Sequence, residues 1–236
     1  MVKPSATRII NEVKKHYNTI AKEWDISRMV PSGIKMKLLR EVEPKDKVLD
    51  LGCGNGFIVP LILEVNAKYF GLDISSALVK IAKKNNAAAV KAKLAEFVVG
   101  DATTRLPYRT GTFNRLFSFA VLHHIPGEEK RLVFLSEIKR VLKSGGTAGI
   151  IVWNLLNDWP KNRFKIDEQS NPDHDYTVPW KATSGKIINR YIHCFDDKEL
   201  KRLCKQVGFS KIQLGYYDRA GKKEKNGEEL VLNVWK

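Results

Sequence analysis

The sequence predicts an α/β domain whose parallel sheet is covered by helices on both faces. Three observations carry this expectation. Short segments apolar on both faces, such as Lys47–Leu51 and Phe113–Leu122, alternate with longer segments of helical periodicity. The first three of these short segments end on a glycine or an aspartate, at Gly52, Asp73 and Gly100-Asp101. The 236 residues are 43% hydrophobic and 28% charged, a globular composition large enough for one real core.

Taken in order, residues 5–24 carry Ile9, Ile10, Val13, Tyr17, Ile20 and Trp24 at helical spacing, and Ile34 to Glu41 follows as a short helix. Lys47 to Leu51 is the first strand, Phe57 to Val65 a helix-like segment, and Lys68 to Leu72 the second strand. Ser75 caps a helix that reaches Asn86. Glu96 to Val99 is a third strand and Phe113 to Leu122 a fourth. Glu128 to Lys143 is an amphipathic helix ended by Gly145-Gly146, before a fifth strand from Thr147 to Val152. Residues 154–195, broken by Pro160, Pro172 and Pro179, read as irregular. They hold Trp159, Tyr176 and Trp180, which favours a functional insertion over disorder. Asp196 caps a helix with the stripe Leu200, Leu203 and Val207, stopped at Gly208. Two last strands, Lys211–Tyr217 and Leu230–Trp235, flank a basic tip from Arg219 to Gly227.

Several function classes fall away on composition. No apolar run reaches the roughly 20 residues of a membrane span, and no secretory leader is visible behind Met1. Cys53, Cys194 and Cys204 have no CxxC spacing, which argues against disulfides and against a metal site and favours an intracellular compartment. The net charge of +15 is the footprint of a polyanion partner, nucleic acid above all, although Lys-rich faces also serve solubility. The excess is uneven: residues 198–225 carry nine Lys/Arg against three acids, and residues 1–47 eleven against six.

The strongest local motif is Val48-Leu49-Asp50-Leu51-Gly52-Cys53-Gly54-Asn55-Gly56, a strand running into a glycine-rich turn that opens a helix. Its GxGxG spacing differs from the GxGxxG of dinucleotide sites. An acid beside the turn suits an ammonium group rather than a pyrophosphate. Asp73 can accept both hydroxyls of a ribose and Asp101 can meet an adenine amino group. Each acid alone could merely cap a turn; three at successive strand ends read as one adenosine site. Cys53 lies in the turn as a small residue and not as a nucleophile.

With Asp50-x-Gly-x-Gly-x-Gly, Gly71-Leu72-Asp73, Gly100-Asp101-Ala102 and Arg140-Val141-Leu142-Lys143-Ser144-Gly145-Gly146, residues 47–152 resemble the class I S-adenosylmethionine-dependent methyltransferases. The resemblance implies a Rossmann-like, seven-stranded, mostly parallel sheet with an antiparallel final strand. It implies S-adenosylmethionine as cofactor, bound by Asp50, Gly52, Gly54, Gly56, Asp73, Asp101 and Ala102. It also implies one domain in four stretches: a helical extension (1–46), the cofactor core (47–152), a substrate-side insertion (153–195), and a closing helix and hairpin (196–236).

A narrower resemblance rests on Tyr17-Asn18-Thr19-Ile20-Ala21 with Ser27-Arg28, Val121-Leu122-His123-His124, Ile151-Val152-Trp153, Val178-Pro179-Trp180 and Arg190-Tyr191-Ile192-His193-Cys194-Phe195. These segments are similar to the tRNA wobble-uridine carboxymethyl methyltransferases. The sequence departs from that family at Met29-Val30-Pro31-Ser32 and at Ile192, where aromatics are usual. This resemblance implies tRNA as partner, methyl esterification of a carboxymethyl group on uridine 34, a cytoplasmic location, and a small zinc-binding activator protein.

Methyl transfer needs nucleophile, methyl carbon and sulfur in line. A carboxylate is anionic at neutral pH and needs aiming rather than a general base. Arg28, Arg190 and His193 are the expected aiming groups, with His123 beside them; Trp153, Trp180 and Tyr191 are the rings expected to stack the base. Duller readings stand beside these, such as a surface ion pair for Arg28 and plain core for His123 and Trp153. Two other functions share the motifs: a small-molecule methyltransferase, and a non-catalytic RNA-binding module, against which the intact Asp50, Asp73 and Asp101 argue.

Overall fold

The computed structural model describes residues 4–27, 30–166, 171, 173–182, 185 and 187–236. Five strands run parallel: β1 (Lys47–Leu51), β2 (Lys68–Asp73), β3 (Ala95–Val99), β4 (Phe113–Phe119) and β5 (Leu142–Trp153). β9 (Glu229–Trp235) lies antiparallel between β5 and β8 (Lys211–Tyr217). The order is β3-β2-β1-β4-β5-β9-β8, the expected seven-stranded, mostly parallel sheet. Strand order reverses between β1 and β4, so the crevice of the sheet opens at their carboxyl ends.

Period-2 alternation assigns the two faces. Leu49, Leu51, Leu116, Ile150 and Leu232 point to a core closed by α6 (Glu128–Val141) and α8 (Asp197–Val207). Val48, Tyr69, Phe117, Ile151 and Val231 point the other way, against α2 (Gly33–Leu39), α3 (Val59–Glu64) and α4 (Ser76–Asn85). Each such buried side chain contributes about 1.5–3 kcal/mol. The caps agree with the sequence: Ser75 Oγ accepts from Leu78 N–H, Asp196 Oδ1 accepts from Glu199 N–H, and Gly208 closes α8 in the left-handed region.

Helix α1 (Ala6–Ser27) lies outside this sandwich and packs on α4. Asn18 Oδ1 accepts from the Ser75 hydroxyl and from Ala77 N–H, and Asp25 Oδ1 accepts from the side-chain amides of Asn55 and Asn85. These bonds tie one face of α1 across the carboxyl ends of β1 and β2.

Three expectations need correction. The described residues between 154 and 195 are not irregular throughout, and Pro172 lies outside them. They contain α7 (Asp158–Phe164) and a two-stranded antiparallel sheet of β6 (Asp175–Lys181) and β7 (Ile187–His193). Pro160 sits in the first turn of α7, where a missing N–H costs nothing, and Pro179 lies in a sheet with two free edges. The fourth strand stops at Phe119, and Leu122–His124 form a 3₁₀ turn. The amphipathic helix ends at Val141, because Leu142 already pairs with Phe113 at the start of β5. A short helix, α5 (Ala87–Lys91), was not foreseen. Among the described residues no helix is long and apolar enough to cross a membrane.

Candidate active site

The glycine-rich turn after β1, through Gly52 and Gly54, forms the floor of a cleft. Gly52 has φ +80°, and a Cβ there would collide with the Val121 side chain. Gly56 has φ +73°, and a Cβ would press on Asn86 and the Phe97 ring. Both glycines are therefore required for the turn and for its open upper surface.

Asp73, at the end of β2, is buried and holds the turn in place. Its Oδ2 accepts from Gly54 N–H at 2.9 Å and its Oδ1 from Ser75 N–H at 2.8 Å. Burial raises its pKa, with these two bonds opposing the shift. A carboxylate has about four acceptor sites, so two remain for the hydroxyls of a ribose. Asp101 and Ala102 line the same cleft, and Asp101 Oδ1 accepts from Thr103 N–H. Leu78 and Ile125 add apolar walls suited to a purine. The donor set and the glycine floor thus fit an adenosine carrying a cationic chain.

Asp50 lines an adjoining cleft on the other side of the turn. Its Oδ2 accepts from the Tyr69 hydroxyl at 2.8 Å. Burial pushes its carboxyl up to about 7, against the Tyr69 bond; Asp73 adds to the rise and Lys35 opposes it. This middle cleft shares Trp24, Gly52, Gly54, Phe119 and Ala120 with the first. Beyond it opens a third cavity, which shares Trp153, Arg219 and Glu229 with the middle cleft. The three cavities adjoin in series, each neighbouring pair sharing lining residues, from the glycine turn to the β6–β7 sheet.

The structure brings some of the expected substrate residues together and separates others. Trp153, Trp180 and Arg190 line the third cavity, with the Arg190 guanidinium 4.9 Å from the centre of the Trp153 ring. Tyr191 and His193 do not join them. The pairs Trp180↔Ile188 and Val178↔Arg190 share one face of the small sheet; Asp175↔His193 and Thr177↔Tyr191 share the other. On that other face His193 Nδ1 lies 2.8 Å from Asp175 and Nε2 lies 2.9 Å from Glu199. The Tyr191 hydroxyl donates to Asp175 and accepts from the buried Arg131. Both residues join β6–β7 to α6 and α8, so the expectation that His193 aims a substrate and Tyr191 stacks a base is corrected. His123 is also corrected: it is fully buried and its Nδ1 accepts from Trp153 N–H. Burial, with the neighbouring His124 and Arg190, pushes its pKa well down. Arg28 lies outside the described residues.

Three cleft residues, Tyr17, Trp24 and His124, are not among the expected site residues. Tyr17 and Trp24 on α1 meet edge to face at 5.3 Å and roof the first cleft. The hydroxyl of Tyr17 lies 2.8 Å from His124 Nε2, and His124 Nδ1 lies 2.8 Å from the Tyr191 carbonyl. A carbonyl only accepts, so Nδ1 carries the proton and Nε2 accepts from Tyr17. Burial pushes His124 down to about 4, which keeps the ring neutral and this bridge from α1 to β7 intact at physiological pH. Tyr17 and Trp24 were visible as an apolar stripe, but no spacing rule says what such a stripe faces.

Comparisons with known proteins agree with this geometry. Residues 49–150 match the family described as Methyltransferase domain. The tRNA (carboxymethyluridine(34)-5-O)-methyltransferase of Schizosaccharomyces pombe is 28% identical over 223 residues, covering 86% of this chain and 91% of the relative. The tRNA (carboxymethyluridine(34)-5-O)-methyltransferase alkbh8 of Xenopus tropicalis is 26% identical over 257 residues, covering 88% of this chain but 39% of that longer protein. Among solved structures, a S-adenosylmethionine-dependent methyltransferase from Methanosarcina mazei superposes with a TM-score of 0.65 at 23% identity, covering 85% of this chain and 96% of the other. The DhpI–SAM–HEP complex superposes with a TM-score of 0.73 at 18% identity over the whole of both chains. With a glycine turn, three acids at successive strand ends and a methyltransferase-domain match over the same residues, residues 49–150 form a methyltransferase domain, and the chain has the fold of the S-adenosylmethionine-dependent methyltransferases.

Proposed function

We propose that this enzyme methylates tRNA, esterifying a carboxymethyl group on wobble uridine 34. The observation that carries the reading is the extent of the similarity to the fission-yeast relative of that name. It covers 86% of the chain and so reaches well beyond the 49–150 cofactor core into the segments that build the substrate side.

The residues suit that chemistry. Bound S-adenosylmethionine supplies an electrophilic methyl group. Asp73 and Asp101 would hold its adenosine, and Asp50 its ammonium. The acceptor carboxylate needs no proton removed, so the task of the protein is orientation and exclusion of water. Lys35 and Arg219 bring positive charge to the middle cleft, and Trp153 offers a ring face there. Arg190 lies over the Trp153 ring and also bonds Tyr17 in the roof of the first cleft, and so links the two. The roof of Tyr17 and Trp24 shields the transfer from water. A cytoplasmic location goes with this substrate. The zinc-binding activator has no support in the names of the relatives and is not carried over.

The test is transfer of a labelled methyl group to tRNA from cells lacking this protein, followed by mass spectrometry of the nucleosides. One methyl ester at the wobble uridine, released by mild alkali, is expected. Transfer to small acceptors with no product on tRNA overturns the reading.

A further inference from the structure

The third cavity is more than the back of the acceptor site. It shares no residue with the first cleft, whereas the middle cleft shares five. The middle cleft, which adjoins the cofactor cleft, is the place for a group receiving the methyl, and the third cavity lies one step farther from the glycine turn. Its lining is unusual for a structural pocket. Trp159 on α7 is 59% exposed, so more than half of a large aromatic side chain faces solvent. One helical turn on, the Arg163 guanidinium lies 5.5 Å from the Trp159 ring centre, and Phe164 meets the ring edge-on at 6.3 Å. Across the cavity, Trp153 carries Arg190 in the same manner, beside Trp180. The Nε of Arg190, a residue 5% exposed, is buried without a hydrogen-bond partner among the described residues, a cost that a ligand acceptor would relieve. The cations Arg163, Lys181, Arg190 and Arg219 outnumber the acids Glu228 and Glu229 in the lining.

Ring faces beside guanidinium groups, with a positive excess, suit a flat π-system on an anionic linker, which is a nucleotide. We propose that this cavity holds the base next to the methylated one, unstacked and laid against Trp159, with its phosphate toward Arg163. The enzyme would then grip two successive nucleotides, one on each side of Trp153. This rests on the RNA reading above and adds a site to it.

The test is a double-mutant cycle on affinity, read by fluorescence anisotropy with an anticodon stem-loop RNA. Trp159→Ala should weaken the intact loop about tenfold, Trp159→Phe should restore most of it, and affinity for S-adenosylhomocysteine should not change. An abasic residue on one side of the target should weaken wild-type binding by a similar factor. The same abasic loop should lose nothing more with Trp159→Ala, since both changes remove one contact. Additive losses for abasic residues on both sides, or no loss with Trp159→Ala, overturn the second subsite. Methyl transfer to a loop bearing carboxymethyluridine is read separately. Coupling without ester formation would sink the wobble-uridine reading and leave the subsite standing; ester formation without coupling would do the reverse.

Discussion

Asp50 is the residue whose chemistry is most open to measurement. Its carboxyl is raised by burial from 3.8 to about 7, so near neutral pH the free enzyme holds it in both protonation states. Because the folded-state value lies above the unfolded one, its contribution to stability is full below about pH 4 and is lost as pH rises through about 7. A ligand ammonium favours the charged form and pulls the value back down. Affinity for S-adenosylhomocysteine should therefore rise from pH 6 to pH 8, by up to about tenfold per pH unit below 7, and binding should release a proton. Titration calorimetry in buffers of different ionisation enthalpy reads both effects. Asp50→Asn should bind more weakly at pH 8 and lose the pH dependence; a slope unchanged in that variant would mean that another group is responsible. The rate of the chemical step should behave differently. With cofactor saturating, single-turnover transfer should stay flat from about pH 6 to 8, since an acceptor carboxylate titrates well below that window. A steep rise at saturation would indicate a nucleophile that needs a base, and would overturn the carboxylate assignment without touching the fold.

At the level of elements, the β6–β7 sheet divides its residues between two tasks. Arg190 faces the third cavity, and His193 faces a polar junction where Arg131, Asp175 and Glu199 converge. His193→Ala should leave two carboxylates facing a gap. Arg131 still pairs with both carboxylates, so the loss is that of hydrogen bonds to charged groups, about 1.5–3 kcal/mol. The melting temperature should drop by several degrees while cofactor affinity holds. Arg190→Ala should instead slow transfer at least tenfold, through a loosened Trp153, with cofactor affinity unchanged. Equal effects of the two variants on rate and melting temperature would remove the distinction. The alternation that separates these residues was present in the sequence, in Tyr176, Val178 and Trp180 and again in Ile188, Arg190 and Ile192. Prolines and polar residues between the runs concealed it. Once the segment is a strand, positions 190 and 193, three apart, must point to opposite faces. The cofactor half was legible for the opposite reason: strand, turn and acid follow one another within a few residues, so local spacing fixes their geometry. The Tyr17–His124 bridge joins residues 107 apart, and no local pattern could announce it.

Across the whole molecule the decisive property is charge. A net +15 on 236 residues is a long-range field, and part of it has a location. Arg219 opens the basic tip between β8 and β9 and also lines both the middle cleft and the third cavity. The tip therefore begins beside these two cavities, and Lys222, Lys223 and Lys225 continue it outward at the surface. A tRNA whose anticodon loop entered them would bring phosphates alongside these lysines. Each neutralised phosphate releases counterions, so log affinity for tRNA should fall linearly with log salt, by about 0.7–0.9 per contact. Reversing the charge at Lys222, Lys223 and Lys225 together should lower the slope by roughly one such step for each lysine that makes a contact. Binding of S-adenosylhomocysteine should be untouched, since none of the three lines the cofactor cleft. If the slope in the triple variant equals that of the wild type, the phosphates lie elsewhere, and the other basic stretch, residues 1–47, becomes the surface to reverse next. If wild-type affinity for tRNA does not depend on salt at all, the charge is incidental, and a small-molecule acceptor in the middle cleft becomes the better account of the same fold.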